Sequence, residues 1–297
     1  GIIGGMILTL FSGRSSALST NSGTKKIIRP RIPVLRYEDR YVIVNKPAGM
    51  TVHRSAETWS HQFVVSTLLK RQLKRKVYPV HRLDHRTSGA LIFAFDSKIC
   101  IHLQQLLNTG RKRYLCLVRG EWTRPESEIL IDHPINMNGK RREAQTLFRV
   151  LSTQKQPRAS LLIAEPKTGR NHQIRKHAYH IGHPIIGDTA HGDTTINRWW
   201  RENRNLDRLA LHCFHLDFTQ HSMEGDNLDI IAPLPEDLTA ILKAESQLWQ
   251  AALLLEPRLD IPPIDLRYKK QEEDEEAVVI DNIHIDGGVV SSNFKNF

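Results

Sequence analysis

The stretch from Pro79 to Gly89, Pro-Val-His-Arg-Leu-Asp-His-Arg-Thr-Ser-Gly, constrains this chain more than any other. An apolar run holding Val77, Tyr78 and Val80 leads into it, and Ala90-Leu91-Ile92-Phe93-Ala94-Phe95 leads out, so the segment is a loop between two strands. Its single carboxylate, Asp84, is set among His81, Arg82, His85 and Arg86. Nearby positive charge favours the ionised form of a carboxyl group. Thr87-Ser88-Gly89 adds small side chains and a residue free to take positive φ, which suits a tight turn. A carboxylate held this way serves as a nucleophile or an electrostatic stabiliser rather than a proton donor. It serves equally as one half of a structural ion pair, and the loop by itself does not separate the two readings.

With 297 residues, 40% of them hydrophobic, the chain can bury a full core in one large domain with appendages. Its 42 Lys and Arg exceed its 32 Asp and Glu, a net charge of +10 that favours a polyanionic partner, nucleic acid first. Cys100, Cys116 and Cys213 stand apart without a CxxC spacing, which argues against a zinc ribbon or a disulfide framework and for a reducing, intracellular compartment. No apolar run reaches the roughly 18 residues of a membrane span, so no membrane association is expected.

Residues 1–33 form a basic leader without a single acidic residue. Its composition suits a mitochondrial or plastid transit segment; the alternative is a cytoplasmic protein with an unstructured leader. Ordered structure is expected from Val34, with a strand at Tyr41–Asn45, a turn at Lys46-Pro47-Ala48-Gly49, and a short strand at Thr51–Arg54. A helix over His61–Arg75 packs Val64, Val65, Leu68, Leu69 and Leu73 inward. Ser97 is the expected N-cap of a second helix, which Thr109-Gly110 ends. Strands follow at Arg111–Gly120, Ile129–Ile135, Ala144–Leu151, Ala159–Ala164, Cys213–Phe218 and Leu228–Ala232, with a closing helix at Glu236–Ala244. The acidic run Glu272–Glu276 marks residues 258–297 as a disordered tail.

His172, His177, His180 and His183 invite a metal-site reading. Only His177 and His180 share a helix face, no cysteine accompanies them, and HExxH is absent, so no metal is assigned.

The string His81-Arg82-Leu83-Asp84, two residues, then Thr87-Ser88-Gly89 resembles the signature of the RluA family of pseudouridine synthases. Asn45-Lys46-Pro47-Ala48-Gly49, Lys112-Arg113-Tyr114, and Thr168-Gly169-Arg170-Asn171-His172-Gln173-Ile174-Arg175 follow the family's other motifs in order, and Ile181–Asp188 and Arg208–His212 continue the likeness. It spans Val34 to Ala244. The resemblance implies an α+β pseudouridine synthase catalytic fold over residues 34–257, a mixed and mainly antiparallel sheet with flanking helices and a central cleft. It implies isomerisation of uridine in structured RNA, with Asp84 as nucleophile, Tyr114 stacking on the base, and Arg175 paired with Asp84, where a bidentate guanidinium would fix the carboxylate. His81, Arg82, Arg86, Lys112, Arg113, Arg170, His172, Gln173 and Lys176 are the implied RNA contacts. Neither metal nor organic cofactor is implied.

His191–Arg198 resembles the insertion of the tRNA uridine-65 branch of that family. The adjoining Trp199, Trp200, Arg201 and Arg204 form either a stacking and phosphate-binding surface or a packed loop. Many relatives carry a separate RNA-binding domain ahead of the catalytic one, and too little chain precedes Tyr37 for one here. The expected partner is therefore tRNA, with rRNA second, bound by a monomer. Two rival classes stay open: a non-catalytic RNA-binding protein on the same scaffold, and a metal-dependent hydrolase using the histidines.

Overall fold

The alternation and apolar runs of the sequence become twelve strands and six α-helices in the computed structural model, which describes residues 29–54, 63–137, 139–218 and 228–262. In chain order the first half runs β1 (Val34–Tyr37), β2 (Tyr41–Lys46), α1 (Val65–Leu73), β3 (Tyr78–Pro79), β4 (Ser88–Ala94), α2 (Ser97–Thr109) and β5 (Arg111–Arg119). Next come β6 (Glu128–Ile131), β7 (Ile135–Met137), β8 (Lys140–Arg142), β9 (Thr146–Lys155) and β10 (Arg158–Pro166). The chain then passes through α3 (Gln173–His180), α4 (Thr194–Arg204), β11 (Leu211–Asp217), β12 (Asp229–Ile231), α5 (Glu236–Ala244) and α6 (Ser246–Leu255).

One ten-stranded sheet forms the body, in the order β1-β2-β4-β11-β5-β10-β9-β6, with β12 on β11 and β3 on β4; β7 and β8 pair separately. The fold is thus α+β with a mixed, mostly antiparallel sheet. The single parallel pairing in the large sheet, β4 with β11, decides where the functional loops lie. It brings Ser88 opposite His212 and Gly89 opposite Cys213. Gly89 has φ +121°, and a Cβ there would come within 2.2 Å of the Cys213 carbonyl oxygen, so only glycine lets the two backbones meet. Cys213 in turn faces Tyr114 of β5. Three central strands therefore carry the loop of Asp84 and the side chain of Tyr114 to one place.

A buried hydrogen-bond chain locks that pairing. His212 Nε2 donates to the Ala232 carbonyl (3.0 Å), its Nδ1 accepts from the Ser88 hydroxyl (2.8 Å), and Ser88 Oγ accepts from Arg208 (2.5 Å). Burial pushes His212 down to about 3, which keeps the ring neutral and able to accept.

Several elements differ from expectation for identifiable reasons. Asp96, not Ser97, caps α2: its carboxylate accepts the Ile99 N–H at 2.8 Å. The strand expected at Ile129–Ile135 divides into β6 and β7, because Asp132-His133-Pro134 intervenes and proline has no ladder donor. Thr51–Arg54 makes only a single parallel bridge, Thr51 to Val64. The first helix begins at Val65; residues 61–62 of the expected span lie outside the described residues. Helix α5 does not close the chain, since α6 follows and buries Leu248, Trp249 and Ala252. Residues 258–260 are not tail: Pro257–Asp260 form a 3-10 turn with Leu259 buried. The basic leader up to residue 28 and the acidic tail from residue 263 lie outside the described residues. Cys100, Cys116 and Cys213 are all buried free thiols. Among the described residues no helix is long and apolar enough to cross a membrane.

Candidate active site

Two loops meet beside Asp84, and one buried lysine joins them. The Thr87 N–H closes a turn on the Asp84 carbonyl (3.0 Å), and the Gly49 N–H donates to the His85 carbonyl (2.9 Å). Lys46, fully buried at the end of β2, donates to the carbonyls of Pro47 (2.9 Å), Met50 (2.7 Å) and His85 (3.2 Å). Three acceptors match the three donors of one ammonium. Burial pushes Lys46 down to about 7, the Arg208 charge adds to that push, and Asp84 opposes it.

Arg175 stands in the first turns of α3, which the chain enters through His172 in the left-handed conformation (φ 54°). Its guanidinium reaches two carboxylates. Nε and Nη2 make a fork on Asp188, both at 2.7 Å, while Nη1 donates to Asp84 Oδ2 at 3.1 Å. The bidentate partner is therefore Asp188, and Asp84 receives a single bond. Asp188 Oδ1 also accepts the N–H groups of Ala190 (2.9 Å) and His191 (3.0 Å). Burial alone would raise the Asp188 carboxyl, but the Arg175 bonds and charge outweigh it and hold it below the usual carboxylate range. Fixed in this way, Arg175 is an aimed donor, not a mobile one.

Asp84 keeps one side open. Its side chain is 22% exposed, and Oδ1 has no partner among the described residues. His172 Nε2 lies 3.9 Å from Oδ2, beyond hydrogen-bond reach, and the His172 ring instead pairs with His191 (Nδ1 to Nε2, 3.1 Å). Burial lowers both imidazoles, in His172 against the pull of Asp84 and in His191 against that of Asp188.

The open side faces a cleft of ≈ 270 Å³ walled by Asp84, Arg82, Tyr114, Met137, Arg170 and His172, near the lower end of ligand clefts at about 300 Å³ and so scaled to one small planar group. Tyr114 is largely buried, and burial pushes its phenol well above the ordinary value, so the ring meets the cleft as a neutral aromatic. The cleft thus sets an open carboxylate oxygen, a flat aromatic wall and an arginine side by side.

Comparison with known proteins gives the family. Residues 40–180 match the family profile described as RNA pseudouridylate synthase. A Vibrio cholerae protein named tRNA pseudouridine synthase C is 36% identical over 244 residues, covering 74% of this chain and 97% of the relative. The chain belongs to the RNA pseudouridylate synthase family. A Vibrio vulnificus protein of the same name is 40% identical over 205 residues, covering 61% of this chain and 83% of its own. Human RNA Pseudouridylate Synthase Domain Containing 1 has the same fold, with a TM-score of 0.57 at 22% identity, over 80% of this chain and 100% of that one. The protein is an RNA pseudouridine synthase, an isomerase acting on RNA.

Of the residues singled out in the sequence, Asp84, Tyr114, Arg175, Arg82, Arg170, His172 and Gln173 gather at the cleft of this synthase. Gln173 is buried and holds the loop together, accepting from Thr168 and the Arg170 N–H and donating to Gln145 and Thr146. Its amide is thereby engaged inside the protein, which corrects its expected place as an RNA contact. His81 is corrected likewise: its Nε2 accepts the Ile92 N–H (3.2 Å), and burial pushes it down to about 3, a neutral acceptor within the strands. Lys112 donates to the Leu107 carbonyl (2.7 Å) at the end of α2. Arg113 faces Glu165 (3.7 Å) and His215 (3.0 Å), away from the cleft. Arg86 braces the loop after Asp188 through Thr189 (3.2 Å) and the Asp207 carbonyl (3.4 Å). Lys176 lines a neighbouring groove. Asp188, His191 and Lys46 were missed as site residues. Among the described residues, no group of three His, Cys, Asp or Glu side chains could hold a metal ion.

Proposed function

We propose that this synthase converts a uridine of tRNA to pseudouridine with Asp84 as its nucleophile. The observation that carries the reading is the single bond from Arg175 to Asp84 Oδ2, which aims the carboxylate at the cleft while Oδ1 stays unpartnered among the described residues. The target nucleotide leaves its stack and enters the cleft against Tyr114, with Arg82 beside the strand. A carboxylate oxygen bonds to the ribose C1′ or the uracil C6, and the N1–C1′ bond breaks. The base turns, C5 bonds to C1′, the C5 proton departs, N1 gains a proton, and the carboxylate is released. The product is an isomer of the substrate; the balance contains no oxidant, metal or transferred group. Two curated relatives carry tRNA in their names, which supports that substrate.

Asp84→Asn tests the assignment. The variant is expected to bind tRNA transcript within about threefold of wild type and to lose at least about 10³-fold in tritium release from 5-labelled uridine. Turnover near the wild-type rate would remove Asp84 from the reaction.

A further inference from the structure

Beside the cleft, on the far side of α3, lies a groove of ≈ 690 Å³ that no step of the reaction uses. Arg119, His133, Asn136, Lys176, Tyr179 and His180 give it its chemistry, no carboxylate lines it among the described residues, and Arg119 is paired with Asp193 at 2.7 Å. Lys176, Tyr179 and His180 fall at i, i+3 and i+4 of α3 and so share a face. Tyr179 is 61% exposed, although an aromatic of its size usually finds cover. The His180 ring stacks on His133 with centroids 3.9 Å apart and planes at 16°. Stacked imidazoles cannot converge on one cation, and His177 beneath them is engaged by Thr146 and the His133 carbonyl, so the cluster is not a metal site.

Two sequence neighbours divide the groove from the cleft. Arg175 faces the cleft and Lys176 the groove, with Cα atoms about 3.8 Å apart. Met137 and Asn136 of β7 divide in the same way, as the alternation of a strand requires. The groove is thus a neighbouring surface for a chain that leaves the cleft. Exposed aromatic surface, a lysine whose side chain has no partner among the described residues and a described lining without carboxylates together match a single-stranded nucleic-acid track.

We propose that this groove holds the nucleotide adjoining the target uridine, its base stacked on Tyr179 and its phosphate on Lys176. The proposal rests on the synthase reading of the cleft and adds a second subsite to it. Base flipping would then be supported by capture of the neighbour, which loses a stacking partner when the target leaves.

The test uses the full-length protein, a tRNA transcript that wild type converts, and the same transcript with an abasic site on either side of the modified uridine. Tyr179→Ala should weaken binding of intact transcript about tenfold, and removal of one flanking base should weaken wild type by a similar factor but leave Tyr179→Ala unaffected. Tyr179→Phe should restore wild-type affinity, and Tm should be unchanged in both. Equal sensitivity of wild type and Tyr179→Ala to both abasic sites would overturn the proposal. If no transcript is converted, binding is measured on unmodified tRNA with paired abasic sites scanned along it: a Tyr179-dependent abasic effect then sustains the groove while the catalytic reading fails.

Discussion

Consecutive residues of β5 and β10 divide between two clusters of arginine and carboxylate, and the clusters are built for opposite ends. Tyr114 and Pro166 face the cleft of Asp84, whereas Arg113 and Glu165, one residue before each, face a second cavity with Arg111, Arg149, Glu256 and Arg258. In that second cluster the two buried carboxylates, Glu165 and Glu256, are saturated, while Glu128, which also lines the cavity, is exposed. Glu165 meets Arg111 at 3.3 Å, Arg113 at 3.7 Å and Lys167, and Glu256 meets Arg258 at 2.6 Å and Arg149 at 3.5 Å. In the cleft the arrangement is lopsided: Asp188 takes the fork of Arg175 and two backbone N–H groups, and Asp84 takes one bond. Charge density alone does not mark a reactive carboxylate. In the proposed mechanism what marks it is an oxygen left open beside a cation already fixed by another partner.

The largest expected difference between the clusters comes from their arginines. Arg175→Ala leaves Asp188 buried without its counter-ion, so unfolding in urea should be easier by about 3–5 kcal/mol, and single-turnover pseudouridine formation should fall at least about 10²-fold. Glu165→Gln, tested alongside, should cost about 1–2 kcal/mol, discounted for its half-exposed partners, and leave the rate within about threefold. A variant of Glu165 as inactive as that of Arg175 would erase the distinction.

Asp188→Asn separates aiming from charge. It should slow product formation about tenfold at saturating RNA with little change in RNA affinity. It also has a pH signature. Because the native Asp188 carboxyl lies below its ordinary value of 3.8, the unfolded chain takes up the proton first as pH falls. The stability that the ionised group provides is complete above that value and lost as pH drops through the native one. Denaturation at pH 7, 5 and 3 should therefore give a gap between wild type and Asp188→Asn that is steady from 7 to 5 and narrows by 3.

The smallest effects concern binding cations. Arg82→Ala should weaken tRNA binding several-fold and reduce the salt slope by about one. Lys112→Ala and Arg113→Ala should leave affinity within about twofold, because both side chains are engaged within the protein. Loss of affinity in Arg113→Ala equal to that in Arg82→Ala would return the second cluster to the RNA-binding surface.

What was legible in the sequence is what is local. The Asp84 turn, the strand before and after it, and the helix at Glu236–Ala244 follow from apolar runs and small-residue punctuation over about ten residues. The pairing of Arg175 with Asp188 was not legible, since both carboxylates lie far from the guanidinium in useful terms until the fold decides which one gets the fork. Lys46 gives no signal either, because a lysine closing a strand is usually solvated and here is fully buried. Arg113 was recoverable: it precedes Tyr114 in a strand, and a period of two sends neighbours to opposite faces. Its basic neighbours drew attention away from that geometry.

The strand that separates β4 from β5 in space is the one that arrives late in the chain. Asp84 and Tyr114 leave the ribosome early, but the slot between their strands stays empty until Leu211–Asp217 has been made. The contact that assembles the site is therefore one of long range in the chain. A nascent or truncated chain ending before Leu211 holds Asp84 and Tyr114 but lacks the strand that brings them together.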